Sequence, residues 1–449
     1  MSDGLPTLRE ELWKTIRLAL PITAGMLSQM LLGLADTAMV GQLGVIPLAA
    51  CSLVNALVHI PMVLAIGILS SVGVLSANAF GAKKDRQAGE VLRHGLFLAV
   101  LSGIGTFLMA LVVLPFLGHL GQDPKAVEAA GTYYLLFSAS ILPAMIAHTA
   151  KQYCESLEHP WIANGILFAG VVLNILFNWI LIYGNWGAPV LGLNGAGWAT
   201  VAARTLTALA LLLIVAWLPS LKPFHPVRWL AWVHRETLGQ LWRIGLPSGI
   251  QHLLEMGAFV FTAIMMGWIS ASALAAHQIA INCAATTFMM MLGLAIAVCI
   301  RIGHAEGAGE YQRVRRIGFS GQALAGIIML GFAVVFIFQN DRIAGFFTQD
   351  PALLEMAAGL IIIAAVFQLA DGMQVVGINA LRGMKDVNKP AGIALVAYWL
   401  ITVPLAWWLG FETDLGAKGI WYGLAIGLFT AAITFTLRFE ILTRREIKG

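Results

Sequence analysis

Runs of about twenty apolar residues alternate with short polar connections along the whole chain. They cover residues 15–41, 49–72, 93–117, 130–150, 161–183, 195–217, 244–268, 277–300, 318–339, 354–378, 391–410 and 419–440. Each run is long enough to cross the hydrocarbon core of a bilayer as a helix. Their length and their lack of the strict two-residue alternation of a membrane-spanning strand argue against a β-barrel. The pattern therefore predicts an all-α polytopic membrane protein with twelve transmembrane helices.

The runs repeat. Leu20-Pro21 opens the first and Leu246-Pro247 the seventh, 226 residues on. At that offset Gln29 falls on Glu255, Asp36 on Thr262, Gly41 on Gly267, and Gly67 on Gly293. Gly81-Ala82 recurs as Gly307-Ala308, Gln122-Asp123-Pro124 as Gln349-Asp350-Pro351, and Pro160 as Pro390, with a drift of a few residues. Leu191-Gly192 and Gly195 recur as Leu415-Gly416 and Gly419. The chain reads as two homologous lobes of six helices, 1–218 and 244–449. They are joined by a connecting loop, 219–243, that carries Pro223, Pro226, Trp229 and Trp232. Six is even, so the lobes are parallel repeats about an axis along the membrane normal, with a central cleft expected between them.

Composition agrees with this. Of 449 residues 59% are hydrophobic and 11% charged, against about 25% charged in soluble domains. Mean hydropathy is +0.83. Of the 27 Lys and Arg, 23 sit on the terminal segments and even-numbered connections or at the span ends bordering them (Arg17, Arg93, Arg438), three (Lys125, Arg342, Lys418) on the opposite connections, and Arg204 deep inside a span. By the positive-inside rule both termini are cytoplasmic. A polar N-terminus running straight into a full-length span predicts no cleavable leader. Cys51, Cys154, Cys283 and Cys299 lack metal-type spacing and read as small apolar residues. His277 and His304, near span ends, read as interfacial. The chain has no zinc-protease HExxH, phosphate-binding lysine loop or GxSxG elbow, so neither an enzyme nor an ATP-driven pump is expected.

The chemistry lies inside the spans. Asp36, Glu255 and Asp371 are carboxylates at membrane depth, where an acid needs a partner or water and is functional by default. Gln29 and Asp36 are seven residues apart, on about one helical face. Gly33, Thr37 and Gly41 form a small-residue row that predicts close approach of another helix. Asn174 and Asn178, one turn apart on the fifth span, lie at a depth like that of Asp36. A carboxylate with two amide oxygens suits Na⁺; with the carboxyl protonated, the same set suits a proton carrier. Interhelical hydrogen bonding is the competing use of the asparagines. In the second half Gln251 and Glu255, Gln278 and Asn282, and the Gln368-Asp371-Gln374 series follow helical steps, and Glu255 with Asp371 could share a cation or a proton. Methionines and aromatics are dense near these acids. Polarisable thioethers and ring faces suit binding of varied flat, cationic, apolar compounds, with packing or lipid contact as the alternative. Gln29, Met30, Gln251, Phe259, Gln278, Asn282, Phe288, Met291 and Phe367 are the candidate substrate contacts.

Taken together, LPITAGMLSQMLLGLADTAMVGQLG in the first span, ANAFGAKK at the end of the second, NILFNW in the fifth, LPSGIQHLLE in the seventh and QLADGMQVVGINALRGMKD with Pro390 later resemble the multidrug and toxic compound extrusion (MATE) family. Within it they are similar to the NorM-type bacterial branch, over essentially the whole chain. The resemblance implies a monomeric exporter in the bacterial cytoplasmic (inner) membrane that exchanges inward Na⁺ or H⁺ for organic cations and other drugs. It implies no tightly bound cofactor and no nucleic-acid partner. The family's first-lobe acid falls on Asp36, beside Asn174 and Asn178, and its second-lobe acids on Glu255 and Asp371, which would hold Na⁺ if sodium drives transport. Sodium-type relatives can carry a tyrosine one turn before the last acid; here Phe367 stands there, one oxygen ligand fewer, which leaves the ion open. A lipid-linked precursor flippase of the same broad superfamily is the alternative, favoured by a strongly cationic cleft. A membrane-embedded enzyme would want paired acidic metal motifs at helix ends.

Overall fold

The computed structural model describes residues 7–229 and 232–448, and among these every regular element is helical. In chain order the helices are α1 (Leu8–Gly41), α2 (Val45–Gly81), α3 (Asp85–Val113), α4 (Pro124–Ala139), α5 (Ile141–Ser156), α6 (Pro160–Tyr183) and α7 (Gly192–Trp217). After the connection come α8 (Arg235–Ile269), α9 (Ala271–Gly307), α10 (Tyr311–Gly345), α11 (Pro351–Gly383), α12 (Asn388–Ala394), α13 (Val403–Phe411) and α14 (Ala417–Lys448). Helices α4 and α5 run on from each other, and α12 continues into α13 through a π-helical stretch, Leu395–Thr402. Among the described residues, twelve segments are long and apolar enough to cross a membrane, one for each apolar run in the sequence.

The repeated motifs are start and stop signals. In both Gln-Asp-Pro copies the aspartate caps a helix and the proline opens it. Asp123 accepts from the Lys125 amide at 2.8 Å, and Asp350 from the Ala352 amide at 2.9 Å. Proline at the first helical position loses nothing, because that amide has no partner within the helix. The turns repeat too. Lys83 (φ 56°) and Gly309 (φ 75°), 226 residues apart, both hold the left-handed conformation, as do Glu158 (φ 65°) and Lys385 (φ 60°), 227 apart. Glycine adopts that conformation freely; the lysines and the glutamate adopt it at a cost.

The chain forms two compact units, Ala24–Gly249 and Met1–Thr23 with Ile250–Gly449. The seams thus fall inside α1 and α8, away from the 219–243 connection. Within the first unit the start of α8 packs on α2, where a Cβ on Gly67 would collide with the Gly249 backbone. Within the second unit the start of α1 packs on α9, where a Cβ on Gly293 would collide with the Thr23 backbone. Residues 23 and 249, like 67 and 293, are one repeat apart, so the same close crossing is built twice from small residues. A buried charge network adds to the second crossing. Glu11 is fully buried and pairs with Arg301, and its second oxygen takes the Arg313 Nε at 2.9 Å; Arg301 also donates to the Glu11 carbonyl at 2.6 Å and to Thr15.

The connection is tied to the first unit. The Tyr153 hydroxyl donates to the Phe224 carbonyl at 2.6 Å, Arg93 donates to the carbonyls of Arg228 and Trp232, and the His234 amide donates to His94 at 2.8 Å. Arg93, Lys151, Arg301 and Arg382, assigned from the sequence to connections or the span ends bordering them, are buried residues within helices. The small-residue row of α1 also departs from expectation. Thr37 is exposed, Gly33 faces open space, and Gly41 meets only the Leu48 side chain, at 4.0 Å. The close approach occurs at least two turns earlier, where a Cβ on Gly25 would collide with Asn164 of α6.

Candidate functional site

Among the described residues, each unit sets a sequence-predicted carboxylate, Asp36 or Glu255, against amides. In the first unit α1 carries Asp36, and α6 presents Asn174 and Asn178 on one face. The Asn178 amide donates to the Asp36 carboxylate at 2.6 Å and to the Asn174 oxygen at 3.0 Å. Both asparagines are buried, whereas Asp36 is half-buried. This three-member chain, assembled from helices 142 residues apart, is the set expected from the sequence. The Tyr183 hydroxyl, 2.9 Å from the Met39 carbonyl and 3.0 Å from Gln42, pins the far end of α1 to α6 beside it. Arg204 on α7 is paired: it donates to the Ser140 hydroxyl at 2.7 Å and lies 4.9 Å over the Phe137 ring.

In the second unit Glu255 on α8 is the hub. One carboxylate oxygen takes the Gln251 amide at 3.0 Å; the other takes the Gln374 amide and the Tyr398 hydroxyl, both at 3.3 Å. Gln374 also donates to Tyr398 at 2.7 Å. Behind them Arg382 donates to the Gln251 oxygen at 2.8 Å and to Asn379 at 3.3 Å, so a guanidinium acts on Glu255 through one amide. Asp371 is buried on the same helix as Gln374 and makes no hydrogen bond among the described residues. Glu255 and Asp371 are thus set in different surroundings, one densely hydrogen-bonded and one bare.

The sequence missed Tyr398 and Arg382 at this site. Tyr398 sits in the π-helical stretch, where the Thr402 hydroxyl bonds the carbonyl five residues back at 2.9 Å and the Trp399 indole donates to the Leu254 carbonyl at 3.0 Å. A π turn shifts side chains off the 3.6-residue register and often marks a functional position; apolar periodicity does not reveal it. Phe367 brings no oxygen to this site; a phenol reaches Glu255 from the next span instead. Arg382 was hidden by its place at a helix end.

The candidate substrate contacts divide. Gln251 belongs to the Glu255 network; Phe367 is buried edge-on to Trp421 at 5.5 Å; Met291 is buried near the α-carbon of Gly372. Gln29, Gln278 and Asn282 are exposed, the last two bonded to each other at 3.2 Å, while Met30, Phe259 and Phe288 are half-exposed. His277 is buried, its ring against Trp421 at 5.6 Å. A second polar cluster that the sequence did not signal lies in the first unit, where Glu155 pairs with Lys151 at 3.4 Å and takes the Asn164 amide at 2.8 Å, all three buried.

The family model MatE matches residues 21–180 and again 247–408. The chain belongs to the MatE family. The two matches coincide with the two carboxylate sites: Asp36, Asn174 and Asn178 lie in the first MatE repeat, and Glu255, Asp371, Arg382 and Tyr398 in the second. A protein of Bradyrhizobium diazoefficiens named "Probable multidrug resistance protein NorM" is 34% identical over 99% of this chain and 97% of its own. One of the same name from Pseudomonas putida is 35% identical over 97% and 95%. A MATE structure in a bent conformation superposes with a TM-score of 0.90 at 22% identity, covering 98% of this chain and 97% of the other. A eukaryotic MATE transporter superposes at 0.88 with 18% identity, over 98% of both chains. The MATE fold extends over nearly the full length, and this MatE protein is a membrane transporter, not an enzyme.

Proposed function

We propose that the protein is a multidrug efflux transporter that exchanges inward Na⁺ or H⁺ for outward lipophilic, mainly cationic, drugs and toxic organic compounds. The observation that carries this reading is the pair of carboxylate–amide sites, Asp36 with Asn178 and Asn174 in one unit, and Glu255 with Gln251, Gln374 and Tyr398 in the other. The names of the curated relatives support the substrate class. We place it in the bacterial inner membrane as a monomer, with both termini cytoplasmic. Its two lobes are each a MatE repeat, and Asp371 shares in cation binding.

The energetics suffice. Each inward positive charge gains about 2.3 kcal/mol per 100 mV, enough to sustain roughly a 50-fold gradient of a neutral substrate. An entering cation neutralises a carboxylate whose hydrogen bonds are set for the charged form. The amides and the phenol then exchange donation to the acid for donation of lone pairs to the ion. That rearrangement moves α1 against α6, or α8 against α11, and drug affinity falls. Phe259, Phe288, Met30 and the exposed amides contribute the adaptable contacts for the drug. Dye export by inverted vesicles tests this, first under a sodium gradient alone, then under a proton gradient alone. Export of lipophilic cationic dyes under at least one, faster than of anionic dyes of similar size, is expected. No export under either would overturn the exchange, and equal export of anions would overturn the substrate preference.

A further inference from the structure

Polar atoms in a protein interior are nearly all hydrogen-bonded, and a cluster of exceptions calls for an explanation, of which bound water or an ion is one. Such a cluster occurs in the second unit. Among the described residues, the His277 Nδ1, the Trp421 Nε1 and both amide atoms of Gln368 are buried without a hydrogen-bond partner. None of the three residues is more than 2% exposed. Ring contacts and positions along α11 relate them to one another and to Asp371. The His277 ring meets the Trp421 indole at 5.6 Å, the indole meets Phe367 at 5.5 Å, and Gln368 follows Phe367 on α11. Asp371 is one turn further along that helix, likewise buried and without a hydrogen bond. His277 lies on α9 six residues after its start, whereas Asp371 lies deep in α11. The groups are therefore ranged along the bundle, from His277 near one end of α9 toward the bare acid deep in α11. On the orientation proposed above, that end is the extracytoplasmic one.

We propose that His277, Trp421 and Gln368 line a buried water-binding column through which a proton or a small monovalent cation reaches Asp371 from outside. This rests on the cation-exchange reading of the site. The chemistry of the lining supports water over an organic ligand. It offers an indole N–H donor, an imidazole that donates or accepts, and an amide that does both, which together satisfy a file of waters making two to four bonds each. The indole and Phe367 form the apolar wall that keeps the file narrow. No covalent step is involved: the ion moves along the column and ends on the Asp371 carboxylate, which otherwise has no hydrogen-bond partner.

Hydroxyl-radical footprinting of the full chain in lipid nanodiscs tests the column without any substitution, because a buried side chain is oxidised only where bound water generates the radical. Trp421 and His277 are expected to be oxidised well above the equally buried Phe435 and Phe439. Protection matching those two residues would overturn the proposal. Gln368→Leu supplies a second arm. It keeps the volume and removes both unpartnered groups, so in a dry, structural site it would be neutral or stabilising. In a water-bearing column it slows gradient-driven efflux by on the order of tenfold, with membrane abundance and dye affinity unchanged. Efflux at the wild-type rate in Gln368→Leu would also overturn the proposal. Asp371→Asn separates the two levels. Wild-type efflux from that variant removes Asp371 from the exchange itself, whereas loss of efflux there beside a protected Trp421 refutes only the column.

Discussion

Glu11 is a buried carboxylate whose removal has a calculable cost. It pairs with Arg301, takes a 2.9 Å bond from Arg313, and lies on the segment of α1 that belongs to the second unit. Arg301 is itself buried, so Glu11→Ala strands a guanidinium whose remaining partners include the Glu11 carbonyl and the Thr15 hydroxyl. Breaking a buried pair from one side costs about 3–5 kcal/mol. Arg313 is partly exposed and also reaches Glu310 at 2.9 Å, so it adds little. Glu11→Gln keeps the shape and some hydrogen bonding and should lose less. In Glu11→Met with Arg301→Met neither charge is left stranded, and stability should return close to wild type. Thermal unfolding in detergent, followed by fluorescence-detected size exclusion, reads the order: Glu11→Ala lowest, Glu11→Gln intermediate, the double variant near wild type. A Glu11→Ala midpoint indistinguishable from wild type, or a double variant worse than Glu11→Ala, would refute the assignment of this pair as what fixes the start of α1.

Two further effects follow from the geometry. Asn178→Leu removes the 2.6 Å donor to Asp36, a bond to a charged group worth about 1.5–3 kcal/mol, and should cut gradient-driven dye efflux by about tenfold or more; Asn174→Leu, which meets Asp36 only through Asn178, should cost less, and the reverse order would contradict the chain Asp36–Asn178–Asn174. Lys83→Gly relieves a left-handed backbone at φ 56° and should raise the thermal midpoint by the equivalent of about 1 kcal/mol, while Gly309→Lys, at the matching position of the second repeat, should lower it.

Much of this fold was legible in the sequence because a bilayer demands long apolar helices and because the chain repeats. Twelve runs became twelve spans, and Gln-Asp-Pro and Gly-Ala proved to be helix starts and stops. Asp36, Asn174 and Asn178 were also legible: an acid and an amide pair at similar depth on helices running the same way have few other places to go. What failed to show has specific causes. Helix-end hydropathy places Arg301 and Arg382 in connections, since only tertiary packing reveals that Glu11 and Gln251 cover them. Tyr398 reaches Glu255 from a π turn, which periodicity does not register. The exchange of the first segments of α1 and α8 depends on Gly293 meeting Thr23 and Gly67 meeting Gly249, contacts that no local pattern announces. The small-residue row of α1 misled for the converse reason: spacing permits a close crossing but does not name the face that is used.

The central claim, a cation-responsive acid in each unit, is tested most directly by gradient-driven efflux from cells expressing Asp36→Asn or Glu255→Gln, with membrane abundance and dye affinity measured beside it. Each amide keeps the side-chain volume and removes the charge. The account predicts that both variants reach the membrane at normal abundance, still bind dye, and fail to export it. Wild-type efflux from Asp36→Asn would remove the first unit's acid from the exchange, wild-type efflux from Glu255→Gln would confine coupling to Asp36, and wild-type efflux from both would contradict the account.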